Sequence, residues 1–198
     1  SNQIAIGDSA LYANEAGENN LAIGIKALLL NSSGEDNLAI GNTTLAANTT
    51  GSFNLALGVE ALQMNTTGGM NIAIGAGAMT NNTTGEHNVS IGDATLLNNT
   101  TGNRNVSIGG QSLVFNQDGN NNIAVGNNAL ESNAHGSANI AIGIDALAQS
   151  TDRSNNVAIG DSALHYNGLG AIEEYHGTAN TAVGTSNLRD NTTGYANT

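Results

Sequence analysis

The chain has 198 residues, of which 39% are hydrophobic, 10% are charged and 3% are aromatic, and its formal net charge is −12. It contains no Cys, which excludes disulfides, thiolate metal sites and a Cys nucleophile. The negative charge disfavours nucleic acid and anionic membranes as partners, because both attract positively charged surfaces. No apolar run approaches the roughly 20 residues of a membrane span, so we expect no membrane insertion of this segment.

A tripeptide that ends in Gly, such as Ala-Ile-Gly, recurs along the whole chain. The first ten of these glycines, from Gly7 to Gly160, are 17 residues apart, and the last, Gly184, follows after 24. This spacing gives eleven repeats, and the pattern is cut at both ends, so we expect a piece of a longer array. The unit is too short for a helical-hairpin repeat, and its glycines disfavour helix. We therefore predict one all-β domain over residues 1–198, a parallel β-solenoid with one coil per repeat.

Each repeat places two aliphatic residues around one small residue just before the Gly, as in Leu21-Ala22-Ile23. Alternate side chains of a strand point to opposite faces. We expect the aliphatic pair to lie inside the coil, where Leu28 and its equivalents close the core from the opposite wall. Three large apolar residues per coil make a thin core, which is stable because each coil covers the next.

Two columns of Asn mark the corners of the predicted coil. One column precedes the strand, as at Asn20, and the other follows the buried Leu, as at Asn31. Asn tolerates left-handed backbone and bonds its own turn, and stacked Asn side chains can form an amide ladder along the rod. The two Gly columns, represented by Gly24 and Gly34, are expected to supply positive φ at the turns.

The small residue between the two aliphatics is Ala or Ser in all eleven repeats. A solvated strand face would vary and carry charge, so we predict that this column faces a neighbouring subunit. Two alternatives are a crowded position inside a narrow coil and a flat surface that binds ice or a crystal. The predicted subunit interface comprises Ala22, Ala39, Ala56, Ala73, Ser90, Ser107, Ala124, Ala141 and Ala158.

The segment Asn71-Ile-Ala-Ile-Gly75-Ala-Gly-Ala78 resembles the head repeats of YadA-type trimeric autotransporter adhesins. The longer unit that ends in Asn-Thr-Thr-Gly, as in 65–68, is similar to arrays in bacterial and phage tail-fibre-like proteins. The resemblance implies a left-handed β-roll that packs as a homotrimer, with the small column toward the partner chains. The family's unit is shorter than the 17 residues found here.

No catalytic motif of the HExxH, GxSxG or P-loop type is present, so we expect neither an enzyme nor a cofactor. One column brings Asp118, His135 and Asp152 onto successive coils, where they could hold a divalent metal or form an ion-paired ladder. A second cluster, Glu18, Glu35 and Asp36, could bind calcium or form a solvated acidic corner.

A seven-residue insertion within 168–176 is the only break in the spacing. Insertions in solenoids map to loops on one face, often the binding face. Candidate ligand contacts in this loop are Glu173, Glu174, Tyr175 and His176. A second candidate contact surface is a stripe of bulky residues after the buried Leu column, formed by Tyr12, Leu29, Leu30, Met64, Leu97, Val114, Phe115, His165 and Tyr166.

The sequence therefore predicts a structural and adhesive module of an extracellular fibre, a cell-surface adhesin or a virion fibre. Its expected partners are copies of itself, as a homotrimer or filament, and a host or surface receptor. The alternative is an ice-binding solenoid, because Thr pairs recur in the Asn-Thr-Thr tripeptides. We interpret those tripeptides as structural corners rather than as glycosylation sites.

Overall fold

The computed structural model describes residues 2–170, 173 and 175–198. Eleven short strands and no helix are found in this part of the chain, and hence no helix that could cross a membrane. The strands are β1 (Ile4–Ile6), β2 (Leu21–Ile23), β3 (Leu38–Ile40), β4 (Leu55–Leu57), β5 (Ile72–Ile74), β6 (Val89–Ile91), β7 (Val106–Ile108), β8 (Ile123–Val125), β9 (Ile140–Ile142), β10 (Val157–Ile159) and β11 (Thr181–Val183).

The strands form a single parallel sheet whose order is the order of the chain. Each residue pairs with its equivalent in the next repeat, so that Ala22 lies beside Ala39 and Ala158 beside Ala182. This register confirms the predicted parallel β-solenoid, and we number the coils 1 to 11 by their strands. The insertion leaves the strands undisturbed, because it lies in the corner between β10 and β11.

At one column of turns, glycine supplies the positive φ. At other turns, non-glycine residues adopt the left-handed conformation. Gly24, directly after its strand, has φ 138°, as the sequence predicts for this column. The buried Leu28 also adopts a positive φ, 50°. Gly34 does not, so the prediction for its column is wrong. That column requires glycine because an added Cβ would lie 2.3 Å from the carbonyl oxygen of Gly51 in the next coil.

The core of each coil is built from one Leu and two small residues. Leu28 and its equivalents in coils 2 to 10, with Met79 in coil 5, are fully buried, as predicted, and Ala22 and Ala27 are buried with Leu28. The strand, however, faces the other way from our expectation: Ala39 is 0% exposed, whereas Ile40 beside it is 37% exposed. The coil is narrow, and the Leu side chain fills it, so only a small residue fits on the opposing wall.

Where the inner strand residue is Ser, the facing residue is also polar. The hydroxyl oxygens of Ser90 and Thr95 are 2.5 Å apart, and those of Ser107 and Ser112 are 2.6 Å apart. Each Ser also donates a hydrogen bond to the backbone carbonyl of its partner. These buried hydroxyls are thus satisfied in pairs, as burial of polar groups requires.

Both Asn columns form ladders of hydrogen bonds along the rod, as predicted. In the corner column, Asn48 Nδ2 donates to Asn31 Oδ1 at 2.8 Å and to the carbonyl of Gly51 at 2.9 Å. In the column before the strand, the backbone N–H of Asn54 donates to Asn37 Oδ1 at 3.0 Å. None of these Asn residues has a positive φ, so their role is the ladder and not a left-handed turn.

Candidate functional site

The outer face of the sheet is a continuous apolar strip, which we call the aliphatic face. It consists of the first and third residues of each strand, and Thr181 is the only polar residue among them. Ten of these side chains are exposed, namely Ile4, Ile6, Ile40, Ile72, Ile91, Ile108, Ile123, Ile142, Ile159 and Val183. With strands about 4.8 Å apart, the strip runs for about 48 Å along the rod.

Additional apolar side chains widen this face at one edge. Ile25, Val59 and Ile144 each follow the strand Gly and are about half exposed. Soluble monomers rarely expose contiguous apolar patches larger than a few hundred Å². The aliphatic face is therefore the surface of this chain that best fits contact with another protein surface.

The Ala and Ser residues predicted as the subunit interface do not lie on that face. Ala22, Ala39, Ala56, Ala73, Ser90, Ser107, Ala124, Ala141 and Ala158 are all 0% exposed within their own coil. The sequence left three interpretations of this small column open. The structure supports one of them, a crowded position inside a narrow coil. Alternation along a strand separates small from large residues but does not show which set points inward.

The three residues proposed as a metal site are only partly brought together. His135 Nδ1 lies 2.7 Å from Asp118 Oδ1, and both side chains are about half exposed. This hydrogen bond raises the pKa of His135, and the negative charges of Asp118 and Asp152 add to the effect. Within the described residues, no three His, Asp or Glu side chains are grouped so that they could hold a metal ion.

The acidic residues Glu18, Glu35 and Asp36 are exposed at one corner of neighbouring coils. The backbone N–H of Glu35 is satisfied by Ser52 Oγ at 3.0 Å, and the carboxylate oxygens of the three residues accept no hydrogen bond from a described side chain. This geometry is that of a solvated acidic corner.

The insertion places the exposed Tyr175 beside the exposed Tyr195, which belongs to the last coil. The rings of Tyr175 and Tyr195 meet edge to face with centroids 5.0 Å apart, and His176 lies 4.7 Å from Tyr175 in the same manner. Glu173 is exposed, and its carbonyl accepts a long hydrogen bond of 3.4 Å from Arg153. Glu174, the fourth predicted ligand contact, lies outside the described residues.

The stripe of bulky residues is less continuous than the aliphatic face. Tyr12, Leu30, Met64 and Phe115 are exposed. Between them stand polar residues such as Asn81, whose amide bonds the side chain of Asn98 at 2.9 Å. Tyr166 is packed under Arg189, whose guanidinium carbon is 5.0 Å from the ring centroid. The stripe therefore offers separate apolar contacts rather than one surface.

In the four Thr pairs from Thr49 to Thr101, the first hydroxyl of each pair is bonded to the next coil. Thr49 Oγ1 donates to the carbonyl of Thr66 at 3.0 Å, and the same bond recurs in the following coils. The second Thr of each pair, such as Thr50, is exposed. The Asn that precedes the pair is buried, and its amide nitrogen donates within the ladder, as at Asn48. These contacts support our interpretation of the tripeptides as structural corners.

A surface cavity of about 280 Å³ was not foreseen from the sequence. Phe53 and Met70 form its apolar part, and Gly69 also lines it. Both residues have left-handed backbone, at φ 61° and 59°, in a column that otherwise holds mainly Asn, Asp and Ala. Bulky residues are unusual in this conformation. The presence of Phe53 and Met70 in this column is the feature of the sequence from which the cavity could have been predicted. The remaining lining residues are Thr50, Ser52, Thr67 and Glu86.

Comparison of this chain with protein-family models, with curated protein sequences and with solved structures finds no match. The function proposed for this chain therefore depends on the geometry of its surface.

Proposed function

We propose that this chain is a rigid structural and adhesive module of an extracellular fibre or surface adhesin, assembled from three copies through the aliphatic face. The observation that carries the proposal is the uncharged, continuous apolar strip along one side of an acidic rod. A monomer gains nothing from leaving these side chains in water, whereas their burial between chains contributes about 25 cal/mol per Å².

The shape of the face favours several copies of the same chain as its partners. It is a single sheet of three-residue strands paired in register, so three parallel rods can bring their strips together around a common axis. Identical copies share the spacing of about 4.8 Å between strands, which keeps every coil in step with its neighbours. The resemblance to trimeric adhesin heads supports the same number of chains, although the contact is made by the aliphatic residues and not by the small column.

The acidic remainder of the surface fits an exposed, non-enzymatic role. Sixteen Asp and Glu against four Lys and Arg give a charge that opposes unspecific association between assembled rods. Arrays of identical contacts on such a rod produce avidity from weak individual interactions. The exposed Tyr175 and Tyr195 at the insertion are the contacts that we assign to a surface receptor.

Light scattering after size-exclusion chromatography tests the assembly. The expected mass is three times the 19.9 kDa of the chain, and it persists on dilution. Replacing Ile91 and Ile108 with Glu adds two charges to the aliphatic face in adjacent coils and should give a monomer with an unchanged circular dichroism spectrum. The matched control places the same charges at the exposed Thr84 and Thr101, and it should remain a trimer.

A wild-type chain that is monomeric at all concentrations would overturn the assembly. Thermal hysteresis of such a monomer in freezing water would support the ice-binding alternative. Adhesion is tested separately, by the attachment of protein-coated beads to cells. The Tyr175→Ala/Tyr195→Ala double variant should reduce attachment, and Tyr12→Ala, which removes a more exposed ring far from the insertion, should not.

A further inference from the structure

The corner that contains the Asn ladder is not equally well bonded along the rod. In coils 2 to 6 it carries a fixed set of contacts, as shown between coils 4 and 5. Asn82 Nδ2 donates to Asn65 Oδ1 at 2.8 Å. The backbone N–H groups of Thr66, Thr67 and Gly68 all donate to the carbonyl of Thr83, at 2.9 to 3.4 Å. The hydroxyl of Thr66 donates to the same carbonyl at 3.0 Å, so five hydrogen bonds join neighbouring coils at each such corner.

The ladder is broken in coil 9, where Ser150 replaces Asn. Asn133 Oδ1 and Ser150 Oγ are both buried and have no hydrogen-bond partner among the described residues. The Ser side chain is too short to reach the amide of the preceding coil. In coil 10, Asn167 Nδ2 donates to the carbonyl of Gly177 within its own turn, and the ladder resumes only between Asn167 and Asn191.

The backbone hydrogen bonds between coils at this corner also become fewer toward the junction of coils 9 and 10. Only one such bond joins coils 7 and 8, from Gln117 to Ala134, and one joins coils 8 and 9, from Ala134 to Thr151. Between coils 9 and 10, the N–H groups of Thr151 and Asp152 donate to no described residue. The corner between coils 9 and 10 therefore lacks both the ladder bond and these backbone bonds.

Coil 9 also departs from the glycine column, because Arg153 stands where the other coils have Gly. At Gly136, one coil earlier, an added Cβ would lie 2.3 Å from the carbonyl oxygen of Arg153. A side chain fits at Arg153 itself because the next corner is rebuilt by the insertion. Its side chain lies against Gly168 and Gly177, which have left-handed φ of 68° and 71°.

We propose that the junction between coils 9 and 10 is a seam, at which the last two coils open from the rest of the rod as one unit. The stability of a solenoid is close to a sum of nearest-neighbour contacts, so the weakest junction sets where it divides. The side chain of Arg153 and contacts on the other walls hold the seam closed in the native state, including the Leu147 N–H to Ala163 carbonyl bond of 3.0 Å.

Two coils cannot bury a core by themselves, so a unit that opens at the seam loses its own hydrogen bonds. Amide hydrogen exchange of the complete chain, followed by NMR, therefore tests the proposal. We expect Leu147, Gln149, Leu164 and Tyr166 to exchange at one common protection level, at least tenfold faster than Leu130 in coil 8. The N-terminal end is the control for simple fraying, since its ladder is intact from Asn14 to Asn31.

Two variants separate the seam from an end effect. Ser150→Asn offers a side-chain oxygen to the amide of Asn167 across the seam, as well as a donor to Asn133, and one hydrogen bond restored at the seam should slow exchange in coils 9 to 11 roughly three- to tenfold. Asn82→Ser breaks the Asn ladder in the same way in the middle of the rod. It should create a new step in amide protection at that position. This second variant keeps the test valid if the longer side chain of Ser150→Asn does not fit beside Arg153.

The result that would overturn the seam is a smooth decline of protection, coil by coil, that mirrors the N-terminal end. Unchanged exchange in Asn82→Ser would also contradict it, because the ladder would then contribute nothing to cohesion between coils. Neither outcome depends on whether the chain assembles through the aliphatic face, since Ser150 and Asn82 lie at the opposite end of the repeat from the strand.

Discussion

The inner and the outer faces of the strands differ in a way that reverses the usual relation between hydropathy and burial. Ala39, Ser90 and Asn54 are 2% exposed or less, whereas Ile40 and Ile91 are each 37% exposed. The interior of the coil selects for small size and for paired hydrogen bonds, because a single Leu already fills it. The large aliphatic residues are thus available for contact between chains.

The first prediction tests how little space the inner columns leave. In Gly68→Ala the new Cβ would lie 2.4 Å from the carbonyl oxygen of Gly85, which belongs to the backbone and cannot move aside. We expect a loss of about 3 kcal/mol or more of unfolding free energy, measured by urea titration. Gly110→Ala is the control. Its Cβ would meet nothing closer than 3.8 Å, so stability should change by less than about 0.5 kcal/mol.

The second prediction compares neighbouring residues of β3. Ala39→Leu adds three carbons to a position with no exposed surface and should cost about 2 to 3 kcal/mol. Ile40→Ala removes an outer side chain and should cost about 1 kcal/mol in the dissociated chain. Urea titration at low protein concentration measures both. Equal losses of unfolding free energy would show that the inner and outer faces are packed alike, and would contradict the difference in burial between them.

The third prediction concerns the buried hydroxyl pairs of the inner face. Ser90→Ala and Thr95→Ala each remove one partner of the 2.5 Å contact, while the double variant removes both. A double-mutant cycle should give a coupling energy of about 1 kcal/mol. The Ser107 and Ser112 pair provides an independent repeat of the measurement. Additive effects in both cycles would mean that the pairs are adjacent without supporting each other.

The repeat spacing was sufficient to predict the parallel solenoid, its register and the buried Leu column. It could not show which strand face points inward, because alternation is the same for either orientation. A signal was present nonetheless: both coils with an inner Ser, at Ser90 and Ser107, have a hydroxyl residue facing it, Thr95 and Ser112. Seven of the nine coils with an inner Ala have Ala in the facing position, and the exceptions are Thr44 and the last coil. Such paired changes indicate contact across a core, whereas an interface with another chain would not require them within one repeat.

The sequence alone indicated only some of the features that define the seam. Ser150 stands out as the exception in its Asn column, and Arg153 as the exception in its Gly column. That the two changes and the insertion belong to one corner follows only from the coordinates, where the Arg153 side chain lies against Gly168 and Gly177. The aromatic contact of Tyr175 with Tyr195 likewise joins the insertion to the following coil and could not be read from spacing.

The smallest expected effect is on the outer surface, at the hydrogen bond between His135 and Asp118. This bond raises the pKa of His135 above its ordinary value. A raised pKa in the folded state means that the contact stabilises the fold fully below the unfolded pKa, and that this contribution is lost as pH rises through the folded pKa. Both side chains are about half exposed, so solvent screening keeps the change in stability small.

Proton NMR of the His135 ring measures this pKa directly. In Asp118→Asn the pKa should fall toward its ordinary value, because the bonded carboxylate, which is the main cause of the shift, is lost. Asp152→Asn should lower it less, since Asp152 acts only through its charge. The reverse order of the two variants would show that the long-range charge, and not the hydrogen bond, controls this His. The outer column would then differ from the inner ones, where direct hydrogen bonds between coils determine the structure.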